Sequence, residues 1–398
     1  MSHAHSRDSR DSFDAVVIGA GIVGAACAYY LARAGLRVAV AERGTVASGT
    51  TGAGEGNILI SDKVPGPELA LAQLSQGLWR ELGDELGPGA ELDPKGGLVV
   101  AAGPAEADGL AKFAATQAEA GVRTEAVPPD GLPGLEPHLA RGLAGGVYYP
   151  EDMQVQPMMA AALLLRRARD LGAELRFRHE MTGLETAAGR VAGVRTSAGL
   201  LRTGLVVNAA GTWAGEVAER AGLALPVLPR RGFIVVTEAL PVLIRHKVYT
   251  ADYVANVASG SAGLEVSTVI EGTASGTVLI GASRERVGFD RSSSLRIVGL
   301  LAAQAARLFP VLAQARAIRF YRGFRPYCPD HLPVIGADDR LAGVLHACGH
   351  EGAGVGLAPA TGQLIAQLAA GQEPSLPVDP FRPGRFAGSA GSAPGGGA

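Results

Sequence analysis

The chain has 398 residues, 47% of them hydrophobic and 19% charged, enough to bury a large core and long enough to predict two interleaved domains rather than one. A formal net charge of −2 with no basic run excludes nucleic acid as a partner. No segment reaches the about 18 apolar residues of a membrane span, the polar leader 1–12 lacks a signal-peptide core, and Cys27, Cys328 and Cys348 are too few and scattered for a disulfide framework, so a cytoplasmic location is the default expectation.

The first predicted element is a buried strand from Asp14 that runs through Gly19, Gly21 and Gly24 into a helix over 25–34, and the next apolar run, from Leu36, ends on Glu42. Gly19 permits the tight turn, Gly21 lets backbone N–H groups approach a pyrophosphate, and Gly24 allows close helix–strand packing. Glu42 lies about 20 residues beyond the glycines, where an acid accepts hydrogen bonds from ribose hydroxyls. A glycine turn alone is weak and has a purely structural reading. Strand, turn, helix, strand and acid in this order read as a dinucleotide-binding unit.

The segment 47–58 is too rich in glycine for an element and suits a backbone pressed against a flat ligand, or a structural loop. An amphipathic helix over 68–83, a strand over 97–101 and a helix over 104–120 follow. A second α/β stretch has a helix over 157–171, short strands over 174–178 and 190–196, and an apolar run 205–208 that ends at Ala209 to Trp213 and reads as a second strand of the nucleotide-binding sheet. From 228 to 324 the chain turns β-branched and aromatic, with strands over 232–238 and 276–281 and an amphipathic helix over 292–309, as in a separate antiparallel sheet with helices. The first style then returns, with strands over 333–336 and 341–349 and a helix over 354–370. The expected fold is therefore α/β: a discontinuous Rossmann-like domain (13–64, 150–227, 325–375) with an inserted α+β domain on an antiparallel sheet (65–149, 228–324), and flexible tails at 1–12 and 376–398.

Val16 to Gly24, Glu42-Arg43, Ala47 to Thr51, Val206 to Trp213, Gly323 to Pro326, Pro329-Asp330, and Gly349 to Gly354 followed by Ala358 to Gly362 stand in an order that resembles the FAD-dependent D-amino-acid oxidase superfamily. That group includes glycine oxidases, sarcosine oxidases and D-amino-acid dehydrogenases. The resemblance spans nearly the whole chain and implies an extended FAD, its pyrophosphate on Gly19, Gly21, Ile22, Val23 and Gly24 and its ribose on Glu42 beside Arg43. It places the adenine near Met181, the ribityl and phosphate side along Ser48, Thr50 and Thr51, and Ala210, Gly211 and Trp213 on the cofactor side. The flavin ring would lie between the 52–58 loop, with Asn57, and the turn of Gly349, Gly352, Ala353, Gly354 and Val355. Backbone N–H groups of Ala353, Gly354 and Val355 at a helix N-terminus would face the flavin edge where negative charge gathers on reduction.

Arg325 matches an arginine that binds the substrate carboxylate in glycine oxidases, and its fork of donors suits that group; the alternative is a structural ion pair at a strand end. A further arginine of glycine oxidases is Gly352 here, so the clamp is single or is completed by Tyr249, Tyr253 or Tyr321, each of which also reads as a half-buried strand aromatic. Glu55, unusual inside a glycine loop, either binds the substrate amine or points into solvent. His346, Cys348 and His350 alternate like metal ligands, but the strand is expected to stop at Gly349 and His350 belongs to the flavin turn, so no metal is expected. His350 is instead a candidate near substrate or flavin. Monomeric sarcosine oxidases link FAD through a cysteine whose position here is Gly323, so the cofactor is expected to be non-covalent.

The reaction implied is oxidation of an amino acid or N-substituted amino acid (D-amino acid, glycine, sarcosine or hydroxyproline-like) by hydride transfer to flavin N5, with hydrolysis of the imine. The loop 50–57 and the segments 280–285 and 288–290 resemble FAD subunits of sarcosine oxidase β-type and D-hydroxyproline dehydrogenase complexes, which implies partner subunits that take the electrons. Three rivals remain: an FAD enzyme of 2-hydroxy acids or glycerol phosphate with His350 as base, an NAD-linked dehydrogenase, which the 349–362 block disfavours, and a non-catalytic electron-transfer subunit, which Arg325 disfavours.

Overall fold

The structure, a computed structural model, describes residues 11–257 and 259–387. Two compact units result. One comprises the described residues up to Gly52, Met158–Leu228 and the described residues from Pro326; the other comprises Ala53–Pro157 and Pro229–Arg325.

The first unit is built on a six-stranded sheet in the order Val334–Ala337, Val344–Cys348, Val206–Asn208, Ala15–Ile18, Val38–Glu42, Glu174–Phe177. Every pair is parallel except the first. Ala15–Ile18 is buried at all four positions, as a central parallel strand covered on both faces must be. The helix Ile22–Arg33 follows the glycine turn, and Gly362 of the last helix, Gly354–Ala369, lies so close to it that a Cβ would stand 2.7 Å from the backbone carbon of Ala26. Sequence reasoning found the strand Arg190–Thr196 but not its neighbours Met181–Ala187 and Gly199–Arg202, with which it forms a three-stranded antiparallel sheet.

The second unit holds an eight-stranded sheet in the order Ala317–Tyr327, Leu228–Thr237, Val278–Arg284, Glu265–Gly272, Lys247–Thr250, Gly97–Ala101, Gly145–Tyr149, Glu125–Val127. It is not wholly antiparallel as expected. Lys247–Thr250 pairs in parallel with Gly97–Ala101, because the two strands arrive from separate chain segments and no hairpin joins them. Helix Leu295–Leu308 sets Ile297, Leu301, Ala305 and Leu308 into the same core cluster as Phe233, Val235, Val248 and Ile270.

Some expected boundaries shift. Residues 53–64 and 150–157 belong with the second unit, because Asn57–Ile58 pairs antiparallel with Met153–Gln154 and the Gly56 N–H donates to Glu271. Arg325 falls in that unit too. The segment expected to be a loose tail from 376 is packed as far as 387: Phe381 is fully buried, and Arg385 holds Asp330 at 2.6 Å. Ser12 likewise bridges to Arg202. The remainder of both expected tails, 1–10 and 388–398, lies outside the described residues.

Candidate active site

In the first unit the glycine turn is packed too closely for side chains. Gly19 has φ +109°, and a Cβ there would stand 2.6 Å from the Ala209 carbonyl oxygen; a Cβ on Gly24 would overlap the carbonyl of Gly19. The helix begins at Ile22 with no side chain capping Gly21 and no acid in its first turn, so its N-terminal partial positive charge is not offset locally. Thr51, 29 residues on, accepts the Ile22 N–H at 3.0 Å and keeps its own O–H proton to donate. Glu42 accepts N–H groups of Ala20 at 2.9 Å and Gly44 at 2.6 Å, which fixes its carboxylate at the strand end. The Arg43 guanidinium lies 4.1 Å from the Trp213 ring, and Gly49 lets that ring approach, since a Cβ there would be 2.9 Å from it. Ser48 lies against Gly44, and Thr50 against Gly211. Met181 is buried in the core, and its carbonyl accepts from Arg220 at 2.6 Å.

At the last turn of this unit, Gly349 has φ +74° and presses on Cys328, whose sulfur would lie 2.5 Å from a Cβ. Ala353 caps the helix that opens at Gly354, and its N–H is bonded to the His350 carbonyl at 2.9 Å. That corrects the expectation of three aligned donors, because the Ala353 N–H closes its own turn. Gly352 shares this turn and contributes no side chain to it.

His350 is buried, with Nε2 3.0 Å from the Thr361 hydroxyl. That hydroxyl donates to the Leu357 carbonyl at 2.9 Å, so it accepts from His350 and fixes the tautomer with the proton on Nε2. Burial pushes the imidazole pKa down to about 3, so the ring is neutral at ordinary pH. His346 turns to Asp338, with Nε2 3.0 Å from the carboxylate, and Cys348 belongs to the buried core. The three alternating residues therefore do not converge, and among the described residues no group of three or more His, Cys, Asp or Glu could hold a metal.

The second unit gathers a set of buried charges around Arg325. The Arg325 guanidinium donates to the Ser283 carbonyl at 2.8 Å, and among the described residues no carboxylate pairs with it. Burial and the neighbouring Arg284 push its pKa down to about 10, so it is charged but under-compensated. Glu55 does not point into solvent. It is 9% exposed, accepts from Asn57 Nδ2 at 3.3 Å and stands 3.9 Å from Lys247 Nζ, while its Oε1 is buried without a hydrogen bond. Lys247 pairs with Glu271 at 2.7 Å.

The tyrosines separate. Tyr253 is not a strand residue but sits on the helix Ala251–Val257, buried, its ring 5.2 Å from the Arg284 guanidinium and its hydroxyl within electrostatic reach of Arg325. Tyr249 is fully buried and spends its hydroxyl on Ser61, which bonds in turn to Asp152, so it does not complete an arginine clamp. Tyr321 donates to the Gly54 carbonyl at 3.2 Å. Lys247, Glu271, Ser61 and Asp152 were absent from the sequence reading, because single charged or hydroxyl residues in β-rich segments give no local signal of where they converge.

Comparison with known proteins settles the family. Residues 14–368 match the family described as FAD dependent oxidoreductase (DAO). The chain belongs to it. Similar proteins include the hydrogen cyanide synthase subunit HcnC of Pseudomonas aeruginosa, 30% identical over 94% of this chain and 96% of that one, and the glycine oxidase of Geobacillus kaustophilus, 30% identical over 95% and 98%. Among solved structures, the Geobacillus glycine oxidase superposes with a TM-score of 0.85 over 93% of this chain and 98% of its own, and L-proline dehydrogenase from P. horikoshii, 25% identical, with 0.85 over 94% and 97%. This FAD-dependent oxidoreductase has a first unit that fits the cofactor: a glycine turn too tightly packed for side chains, a helix start with no acid in its first turn and Thr51 on its first N–H, and a fixed acid at the second strand end. Residue 323, where the sequence resemblance places the FAD-linking cysteine of monomeric sarcosine oxidases, is a glycine, and the three cysteines Cys27, Cys328 and Cys348 are buried. Among the described residues no helix is long and apolar enough to cross a membrane.

Proposed function

We propose that this flavoprotein oxidises the C–N bond of a small α-amino acid whose carboxylate is held by Arg325. The observation that carries the reading is the guanidinium itself: half-buried beside Arg284, tied by one N–H to Ser283 and lacking a carboxylate partner among the described residues. A strand-end ion pair would have supplied that partner. An incoming carboxylate would relieve the uncompensated charge, and the planar fork fixes its orientation, which in turn sets the direction of the Cα–H bond. Tyr253 is the side chain best placed to complete the clamp. FAD, when bound, supplies the two-electron acceptor for the hydride. The imine left behind is hydrolysed to a carbonyl compound and ammonia or an amine.

The names of the relatives support the same chemistry: glycine oxidase and L-proline dehydrogenase both act on an amino acid. HcnC is by name a subunit of hydrogen cyanide synthase, which supports a reading in which this chain works with partner subunits; that those partners take the electrons is part of the proposal. A hydroxy-acid enzyme would need a base for the O–H proton, and a histidine held neutral down to about pH 3 is poorly suited to that task.

Arg325→Ala tests the carboxylate role. Amino-acid affinity should fall about 100-fold, equivalent to about 2.7 kcal/mol, with flavin content unchanged. Unchanged affinity for the amino acid would remove the assignment.

A further inference from the structure

The cluster around Glu55 holds one carboxylate too many for its own lysine. Lys247 Nζ is fully buried and bonded to Glu271 Oε2 at 2.7 Å, and Glu271 also accepts the Gly56 N–H at 3.2 Å, so that pair is closed and neutral. Glu55 lies outside it, 3.9 Å from Nζ, with Asn57 on one oxygen and nothing on the other. The polypeptide leaves room for this arrangement: a Cβ on Gly281 would stand 2.6 Å from Glu55 Oε1. The charged or titratable groups facing Glu55 are Lys247, Glu271, Arg325, Tyr253 and Tyr321.

A buried carboxylate with a bare oxygen is unfavourable unless something cationic or protonated meets it. Arg325, in the same cluster, has the opposite deficit. One ligand that cures both carries a carboxylate and an ammonium, which is an amino-acid zwitterion. We propose that Glu55 receives the substrate ammonium group and removes its proton, with the Lys247–Glu271 pair holding the Glu55 carboxylate in place. The inference rests on the amino-acid reading above and extends it to the amine.

The step balances within the chain. One N–H bond of the ammonium breaks, an O–H bond forms on Glu55 Oε1, and the electron pair stays on nitrogen as the lone pair that hydride departure requires. No oxidant enters. Desolvation strengthens the hold of Glu55 on a proton, and Glu271 adds to this, whereas Lys247 and Arg325 keep its ionised form accessible. Lys247 cannot serve in its place. Although burial disfavours its charge, Glu271 and Glu55 outweigh this and keep it protonated. Lys247 is thus a positioning residue, and Glu55 the group that touches substrate.

The test uses the FAD-loaded enzyme, anaerobically, with whichever of glycine, sarcosine, D-alanine, L-alanine and L-proline reduces the wild-type flavin fastest. In Glu55→Gln the second-order rate of flavin reduction should fall at least 100-fold at pH 7 and climb about tenfold per pH unit toward the pKa of the free amine, since deprotonation must then occur in solution. The wild type should stay nearly flat over the same range. Acetate, which carries only the carboxylate, should perturb the flavin spectrum of both with affinities within about threefold, whereas trimethylglycine, with its fixed positive charge, should bind the variant at least tenfold more weakly. If Glu55→Gln fails to retain flavin, Glu55→Asp takes its place and should keep the flat profile at a lower rate. Parallel pH profiles of variant and wild type, or unchanged trimethylglycine binding, would overturn the role of Glu55 while leaving amino-acid oxidation intact. A wild type bleached by none of the five would instead remove the amino-acid reading and this role with it.

Discussion

Gly232 lies directly beneath the Arg325 guanidinium, so close that a Cβ at 232 would overlap Nη1, and it presses on the Ser283 carbonyl that the same nitrogen binds. The absence of a side chain on one strand thus sets the position of the arginine on another. Gly232→Ala should displace the guanidinium and weaken acetate binding about tenfold or more, with flavin content preserved. Titration of the flavin spectrum with acetate reads both. A variant that binds acetate like the wild type would show that the arginine does not depend on this contact.

His350 should not act as the base. Its folded pKa of about 3 lies below the ordinary value near 6.5, so the neutral ring is favoured by folding, and that contribution is present above pH 6.5 and lost as pH falls toward 3. Between pH 6 and 9 the ring does not titrate. Any acid limb in the pH–rate profile over that range should therefore persist in His350→Gln, even if the overall rate drops with the lost Thr361 contact. Disappearance of the limb would restore histidine as the base.

Asp152 predicts a pH dependence of stability with the opposite sign. It is fully buried, and burial raises its pKa to about 7, against the hydrogen bonds from Ser61 and Ile60. Unfolding lets it ionise near its ordinary value of about 3.9, so between about pH 4 and 7 the unfolded chain binds fewer protons and stability falls as pH rises, by at most about 1.4 kcal/mol per unit. Asp152→Asn should flatten that decline. Melting temperatures of both proteins at pH 5 and pH 8 give the comparison: the gap should move in favour of the variant at pH 8, and equal gaps would contradict the buried acid.

The cofactor cradle predicts its own failure mode. Gly24→Ala would drive a Cβ into the Gly19 carbonyl, which is backbone and cannot yield, so flavin content should be lost altogether. Thr51→Val removes a helix cap worth about 1 kcal/mol and should lower flavin affinity and melting temperature moderately. Absorbance at the flavin band after gel filtration distinguishes the two. Full flavin occupancy in Gly24→Ala would show that the turn is not the cofactor cradle.

The nucleotide-binding half was legible because its devices are local: a glycine turn, a run of buried strand and an acid at a fixed distance lie within 14–42. Arg325 was legible only through its neighbours in the Gly-Phe-Arg-Pro block. The parallel pairing of Lys247–Thr250 with Gly97–Ala101 was not, since about 150 residues of chain separate the partners and no turn chemistry specifies them. Glu55 stood out as an acid among glycines, but its burial depends on Lys247 and Glu271, which reach it from the sheet. Tyr249 and Tyr253, four residues apart, look alike in sequence. A strand ending at Thr250 and a helix starting at Ala251 send one to Ser61 and the other toward Arg284.

The most direct measurement is the visible spectrum of the purified protein, repeated anaerobically after addition of D-, L- and N-methyl amino acids, proline analogues and 2-hydroxy acids. Amino-acid C–N oxidation predicts a flavin band bleached by one or more of the amines and by none of the hydroxy acids. Bleaching by 2-hydroxy acids alone would contradict it.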